Sequence, residues 1–278
     1  MSNKIKNRLL WVLAVVLTLV IVIYQRTTGP TYPLKGDLEI ANESISYKFF
    51  RSYDVGIDAP VEVEIANKDV SGVFTFKRYK SFDEWQSVAM VREGDMLKAK
   101  IPMQPAAGKV EYKVDLLYQG KTFPLSEEPI IIRYKGSVPR PVLVPHIFFM
   151  FFSMLFGLRA GLEALFKGND NKYFVGVTLL TLFLGGLILG PIVQKYAFDA
   201  YWTGWPFGTD LTDNKTAFIF IFWLIAWFRL RKNPMHRTMV FVATVFMIAV
   251  FIIPHSAAGS EIDHTKAESQ KTEQQIQE

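Results

Sequence analysis

The sequence predicts a membrane protein of two parts, an α-helical transmembrane bundle and an all-β sandwich. Three observations carry this reading. Half of the 278 residues are apolar and 23 are Phe, more apolar surface than one soluble core of this size absorbs. Most of that surface is gathered into five long apolar runs. Between the first and second runs, residues alternate apolar and polar with a period of two.

The first run, 9–24, carries no charge and follows Lys4, Lys6 and Arg8. As a helix it extends about 24 Å, enough to cross a slightly thinned bilayer with anchoring flanks. A cleaved signal peptide would have a small-residue cleavage site next, but Gln25, Arg26, Thr27, Thr28 follow. Residues 1–28 therefore read as an uncleaved signal anchor.

Residues 29–138 read as a separate domain. Segments 61–65, 73–79, 97–101 and 110–116 alternate, and turn signals separate them: Asp58, Ala59 and Pro60; Ser71 and Gly72; Gly94; Pro105 to Gly108; Gly120. Strands about ten residues apart suggest an antiparallel sandwich. The stretch 73–117 carries Phe76, Lys77, Arg78 and Tyr79, then Trp85, then Ile101 and Pro102, then 108–114. In these residues it resembles an immunoglobulin or fibronectin type III domain. The resemblance extends over about a hundred residues. It lacks the usual cysteine pair and implies a fold rather than one function.

Residues 139–256 read as a four-helix transmembrane domain, with spans at 142–166, 173–193, 216–230 and 238–253. That makes five spans in all, with four plus a re-entrant segment as the alternative. Backbone polar groups must be satisfied within lipid, so helices are the only spanning form these runs can take. Gly186 and Gly190 form a small-xxx-small pattern that permits close helix approach. Arg159 and Glu163, four apart, share a helix face near one end of their span, where their heads are expected to snorkel toward water. Residues 257–278 read as a disordered polar tail.

Charge placement sets an expected orientation. From position 26 to 140 the chain has 17 Lys and Arg against 16 Asp and Glu, nearly neutral. With the amino end in the cytoplasm, the cytoplasmic segments carry Lys4, Lys6, Arg8, Arg159, Lys167, Lys172, Arg229, Arg231, Lys232 and Arg237. The opposite loop, 194–215, holds only Lys195 and Lys215. The expected location is the cell (inner or plasma) membrane, with the β domain and the C-terminus extracytoplasmic. No basic stripe interleaved with aromatics suggests nucleic-acid binding.

Chemistry-bearing motifs are few. There is no Cys, which excludes thiolate metal sites and Cys nucleophiles. Phosphate loops, nucleophile elbows and zinc-protease motifs are absent. His146 and His255 each follow a Pro at a span end on the same expected face, so two imidazoles could share a metal ion or a haem iron. The loop before the fourth span is rich in aromatics and acids. Asp199, Trp202, Trp205, Asp210 and Asp213 are its ligand-binding candidates, with Thr212 or Asp213 as the expected helix cap. Oxygens there could hold a hard cation with help from Glu261, Asp263 or His264. The expected function is a non-enzymatic accessory or scaffold protein whose sandwich binds a protein partner. The alternatives are a haem- or metal-binding redox protein and a small-solute transporter. Sparse charge in the middle of the spans argues against the transporter.

Overall fold

The computed structural model describes residues 3–41, 43–208, 210–254, 259 and 261–266. The chain divides into two compact units, Met1–Pro30 with Val138–Gly259, and Thr31–Ser137 with Ser260–Glu278.

The β unit is a two-sheet sandwich. One sheet runs β1 (Leu34–Ile40), β2 (Glu43–Phe49), β4 (Ala59–Glu64), β8 (Met96–Ile101), β7 (Val91–Glu93). The other runs β3 (Ser52–Asp54), β11 (Ile130–Lys135), β9 (Lys109–Tyr118), β5 (Ser71–Arg78), β6 (Gln86–Ala89), with β10 (Lys121–Pro124) also on β9. Every pairing is antiparallel except β3 with β11. The four segments expected as strands are β4, β5, β8 and β9. Alternation delivers the core: on β9 the buried set is Val110, Tyr112, Val114 and Leu116, with Lys109, Glu111 and Lys113 on the other side. In its centre Phe49 meets Tyr112 edge-on and Phe74 packs tilted against the same ring. The Tyr134 hydroxyl, on β11, donates to the Ile101 carbonyl at 3.0 Å and accepts from the Ala59 N–H at 3.3 Å, so it ties one sheet to the other. Burial pushes this phenol up to about 12.

The helical unit contains α1 (Asn3–Thr28), α2 (Arg140–Leu165), α3 (Asn171–Leu182), α4 (Gly190–Phe198), α5 (Leu211–Lys232) and α6 (Arg237–Ile252). A π-helical stretch, Phe183–Leu189, joins α3 to α4, so Asn171–Phe198 is one rod of 28 residues. The third span therefore runs past its expected end at 193. Likewise α5 begins at Leu211, not 216, and the expected loop of 194–215 shrinks to 199–210. The wide turn has a local cause. Pro191 offers no N–H and its ring crowds the preceding turn, so the helix ahead of it opens.

Four helices are long and apolar enough to cross a membrane: Asn3–Thr28, Arg140–Leu165, Asn171–Phe198 and Leu211–Lys232. Helix α6, with 16 residues, is a shorter apolar helix. Glycines set the α2–α6 contact. A Cβ on Gly161 would lie 2.5 Å from Thr244 Cγ2, and one on Gly157 2.6 Å from Met247 Cε. The Thr244 hydroxyl crosses this gap to the Gly157 carbonyl at 3.2 Å. In the expected Gly186–Gly190 pair, only Gly186 is close packed, against Thr216, with Gly185 beside it against Phe149.

The charged pair on α2 differs from the expectation. Arg159 does not snorkel; it is 2% exposed inside the bundle. Its guanidinium bonds Glu163 at 2.6 Å and Asn7 of α1 at 2.7 Å, and lies over the rings of Trp11 and Phe174. Glu163 also accepts the Asp170 N–H at 3.1 Å. The guanidinium is closed off from the surface, so Asn7 of α1 supplies a polar partner it needs beside Glu163.

At the other end of the bundle, the Gln25 amide of α1 donates to the Phe251 carbonyl of α6 at 3.1 Å. The Lys215 ammonium of α5 donates to the carbonyls of Ile253 at 3.1 Å and Pro254 at 3.4 Å. The carbonyls just past the end of α6 thus receive a cation, on the side where the helix dipole favours positive charge.

Candidate functional site

Helix α5 is capped by Asp210, whose carboxylate accepts the Thr212 N–H at 2.7 Å. The cap expected at Thr212 or Asp213 lies upstream of both, because the helix starts earlier. Asp213 is then in the first turn and points back into the 199–210 loop. Its Oδ2 accepts from the N–H of Thr203 at 2.7 Å, the N–H of Gly204 at 3.0 Å, and the Gln194 amide at 3.1 Å. The Thr203 hydroxyl receives a bond from Gln194 at 2.7 Å and faces Asp210 at 3.2 Å. Asn214 accepts the Trp205 N–H at 2.7 Å.

Glycine is required at two loop positions. A Cβ on Gly204 would come within 2.7 Å of Asp213 Cβ, and one on Gly208 within 2.3 Å of the Thr203 carbonyl oxygen. The polar knot folds the loop against α5 and leaves its apolar tip outside. Trp205 is 77% and Phe207 83% exposed. Such a fixed aromatic tip suits a headgroup layer or a protein surface.

The expected site residues separate into groups. Asp210 and Asp213 meet through Thr203. Trp202 bonds within the loop, its indole N–H on the Trp205 carbonyl at 3.1 Å. Asp199 is exposed and pairs with Lys195 at 2.6 Å, whose hydrogen bond holds its carboxyl below the usual range. Gln194, Thr203, Gly204 and Asn214 complete the knot. Their types are ordinary, and no spacing rule marks them in advance.

His146 faces the π-helical turn, with Nδ1 2.9 Å from the Gly185 carbonyl. That bond selects the tautomer with the proton on Nδ1 and leaves Nε2 as an acceptor, as a ligand imidazole would need. His255, its expected partner for a metal or haem, lies outside the described residues. Among the described residues no three His, Asp or Glu side chains gather as a metal-holding group. Glu261, Asp263 and His264, considered for a cation shell with the loop, find partners within the β unit. Of the tail expected to be disordered, 259 and 261–266 are described, and 261–266 lies against the sandwich.

The sandwich has its own exposed feature. Strand β6 ends the sheet order and is exposed along its whole length. Val88 on it, Phe82 and Trp85 before it, and Val91 after it are exposed large apolar side chains. Neighbouring Arg78 grips Asp83 through two bonds, 2.6 and 2.7 Å, which pull that carboxyl down to about 2.

No family model, curated protein or solved structure matches the chain.

Proposed function

We propose that the protein is an integral membrane accessory or scaffold protein whose immunoglobulin-like sandwich binds a protein partner outside the cytoplasm. The observation that carries this is the β6 edge. A strand at the end of its sheet, carrying exposed Val88 and flanked by exposed Phe82, Trp85 and Val91, is a template for an added strand from another chain. The immunoglobulin-like assignment draws support from the strand order. Sheets β2-β4-β8-β7 and β11-β9-β5-β6, with β3 parallel to β11, follow the ABED and GFC arrangement with an added edge strand.

The orientation draws support from nine basic residues gathered toward one set of helix ends, Lys4, Lys6, Arg8, Lys167, Lys172, Arg229, Arg231, Lys232 and Arg237, Arg159 having turned inward to Glu163. The Gln25–Phe251 bond supports α6 as the fifth span, because it brings the far end of α6 level with the far end of α1. The native chain has no Cys, so single-Cys reporters are clean. In intact cells a membrane-impermeant maleimide should label Lys121→Cys and spare Lys167→Cys. The reverse pattern overturns the orientation. A photo-crosslinking residue at Val88 should give a discrete protein adduct, and the same probe at Lys121 none. No adduct at Val88 in folded protein removes the partner reading. The metal alternative rests on His146 and a residue outside the described set; an absorption spectrum and metal content of purified protein test it directly.

A further inference from the structure

The outer face of the β5–β9 pair is basic and aromatic. The Lys77 and Lys113 ammoniums lie 5.2 and 5.4 Å from the Trp85 ring centre, and Lys109 and Lys80 lie 5.2 and 5.7 Å from that of Tyr79. Glu111 offsets Lys77 at 3.5 Å and Asp83 offsets Arg78. Lys80 and Lys109 find their carboxylate elsewhere in the chain: both bond Glu261. Around that bridge the segment is seated by its backbone as well. The Thr265 N–H donates to the Lys80 carbonyl at 3.1 Å, and His264 Nδ1 lies 3.3 Å from the Arg78 guanidinium. Nε2 of His264 is shut off from solvent, and Asp263 folds the segment by accepting the Thr265 N–H at 3.1 Å. Burial works against the Glu261 charge, but the hydrogen bonds from Lys109 and Lys80 outweigh it and hold the carboxyl below its ordinary value.

We propose that this basic–aromatic face is a docking site for a short acidic segment, and that the chain's own residues 261–266 are its resident occupant. Charge complementarity and the backbone bond argue for the occupant together. A solvated ion pair alone is worth little, whereas one carboxylate shared by two lysines, one of them largely buried, plus a fixed backbone bond, selects one segment in one register. The site does not depend on β6 taking a partner.

Hydrogen exchange on the full chain in mild detergent tests it. Residues 261–266 should exchange roughly tenfold more slowly than in Glu261→Lys, the effect of two partly screened ion pairs and one backbone bond. The triple variant Glu261→Lys, Lys80→Glu, Lys109→Glu should recover that protection. Equal exchange in the wild type and Glu261→Lys, or no recovery in the triple variant while β9 stays protected, overturns the proposal. A second measurement needs no variant. A carbodiimide should join Glu261 to Lys80 or Lys109, as it should join the reference pair Glu93 and Lys98, 2.7 Å apart. The reference link without a Glu261 link also overturns it.

Discussion

The two units differ in what covers their outer surfaces: charged positions on the sandwich, large apolar side chains on the bundle. In the sandwich the large side chains are inside: Phe49, Phe74, Tyr112 and Tyr134 are buried, and charges stand on the outer positions of the same strands. In the bundle Trp223, Phe174 and Leu158 are buried beside Gly157, Gly161, Ala160, Ala226 and Ala243, while Val12, Val16, Leu19, Phe148, Phe218, Ile221 and Val245 are exposed on its outside. Water drives large apolar groups inward. Lipid gives them no such reason, so close packing and shared hydrogen bonds decide the interior. The comparison is an independent physical argument for a lipid environment around the helices, because that outer surface would be unsustainable in water.

Polar groups follow the same division. The sandwich uses single hydroxyls to cross its core, Tyr134 to Ile101 and Tyr112 to the Phe50 carbonyl at 2.9 Å. The bundle buries a complete ion pair and returns its threonine hydroxyls to its own backbone, as Thr18 does to Ala14 at 2.7 Å.

Substitutions at matched positions sharpen this contrast. The largest effects should come from breaking each unit's own form of cohesion. Arg159→Ala leaves Glu163 buried without its cation and should cost about 3–5 kcal/mol; Phe74→Ala empties the sandwich core and should cost a similar ~3–5 kcal/mol. Denaturant titration in detergent, with one reporter per unit, checks both. A loss below about 1 kcal/mol at Arg159 would mean the pair is solvated, against the geometry. Next, Gly161→Val should cost about 1–3 kcal/mol by wedging α6 from α2, read as loss of the α2–α6 contact in cysteine cross-linking. An unchanged contact would show that small residues do not set the spacing.

Tyr134→Phe should cost about 1 kcal/mol, with the cost seen only in the sandwich transition. Its pH dependence has a definite sign. The folded phenol titrates at about 12 and the unfolded one at 10.0, so its contribution is whole below pH 10 and disappears as pH rises through 12. Asp83 runs the opposite way and is the smallest effect. Its folded value of about 2 against 3.8 gives stability that is present above pH 3.8 and lost as pH falls through 2. Carboxyl chemical shifts through an acid titration locate it; a midpoint near 3.8 would mean Arg78 does not hold it in solution.

Legibility in the sequence also divides by unit. Strands β4, β5, β8 and β9 were readable because burial on one face imposes a period of two. Strand β6 was not, since all four of its residues are exposed and nothing alternates. In the bundle, apolar length located every helix, but contact surfaces stayed hidden. The pattern Gly157, Leu158, Arg159, Ala160, Gly161 contains a small-xxx-small pair as good as the one noted at Gly186, and only packing distinguishes them. At the candidate loop, Asp210 and Asp213 were marked by type, while Gln194 and Thr203 were not, because amide and hydroxyl partners carry no characteristic spacing.

Composition and periodicity alone determined that this chain pairs membrane-length helices with a β domain, because hydrophobic runs and alternation are local properties that survive without a partner. Whether Arg159 turns inward, which aspartate caps α5 and where 261–266 lies were decided only by the tertiary structure. Each depends on a donor or acceptor far away in sequence, and one-dimensional spacing holds no record of such distances.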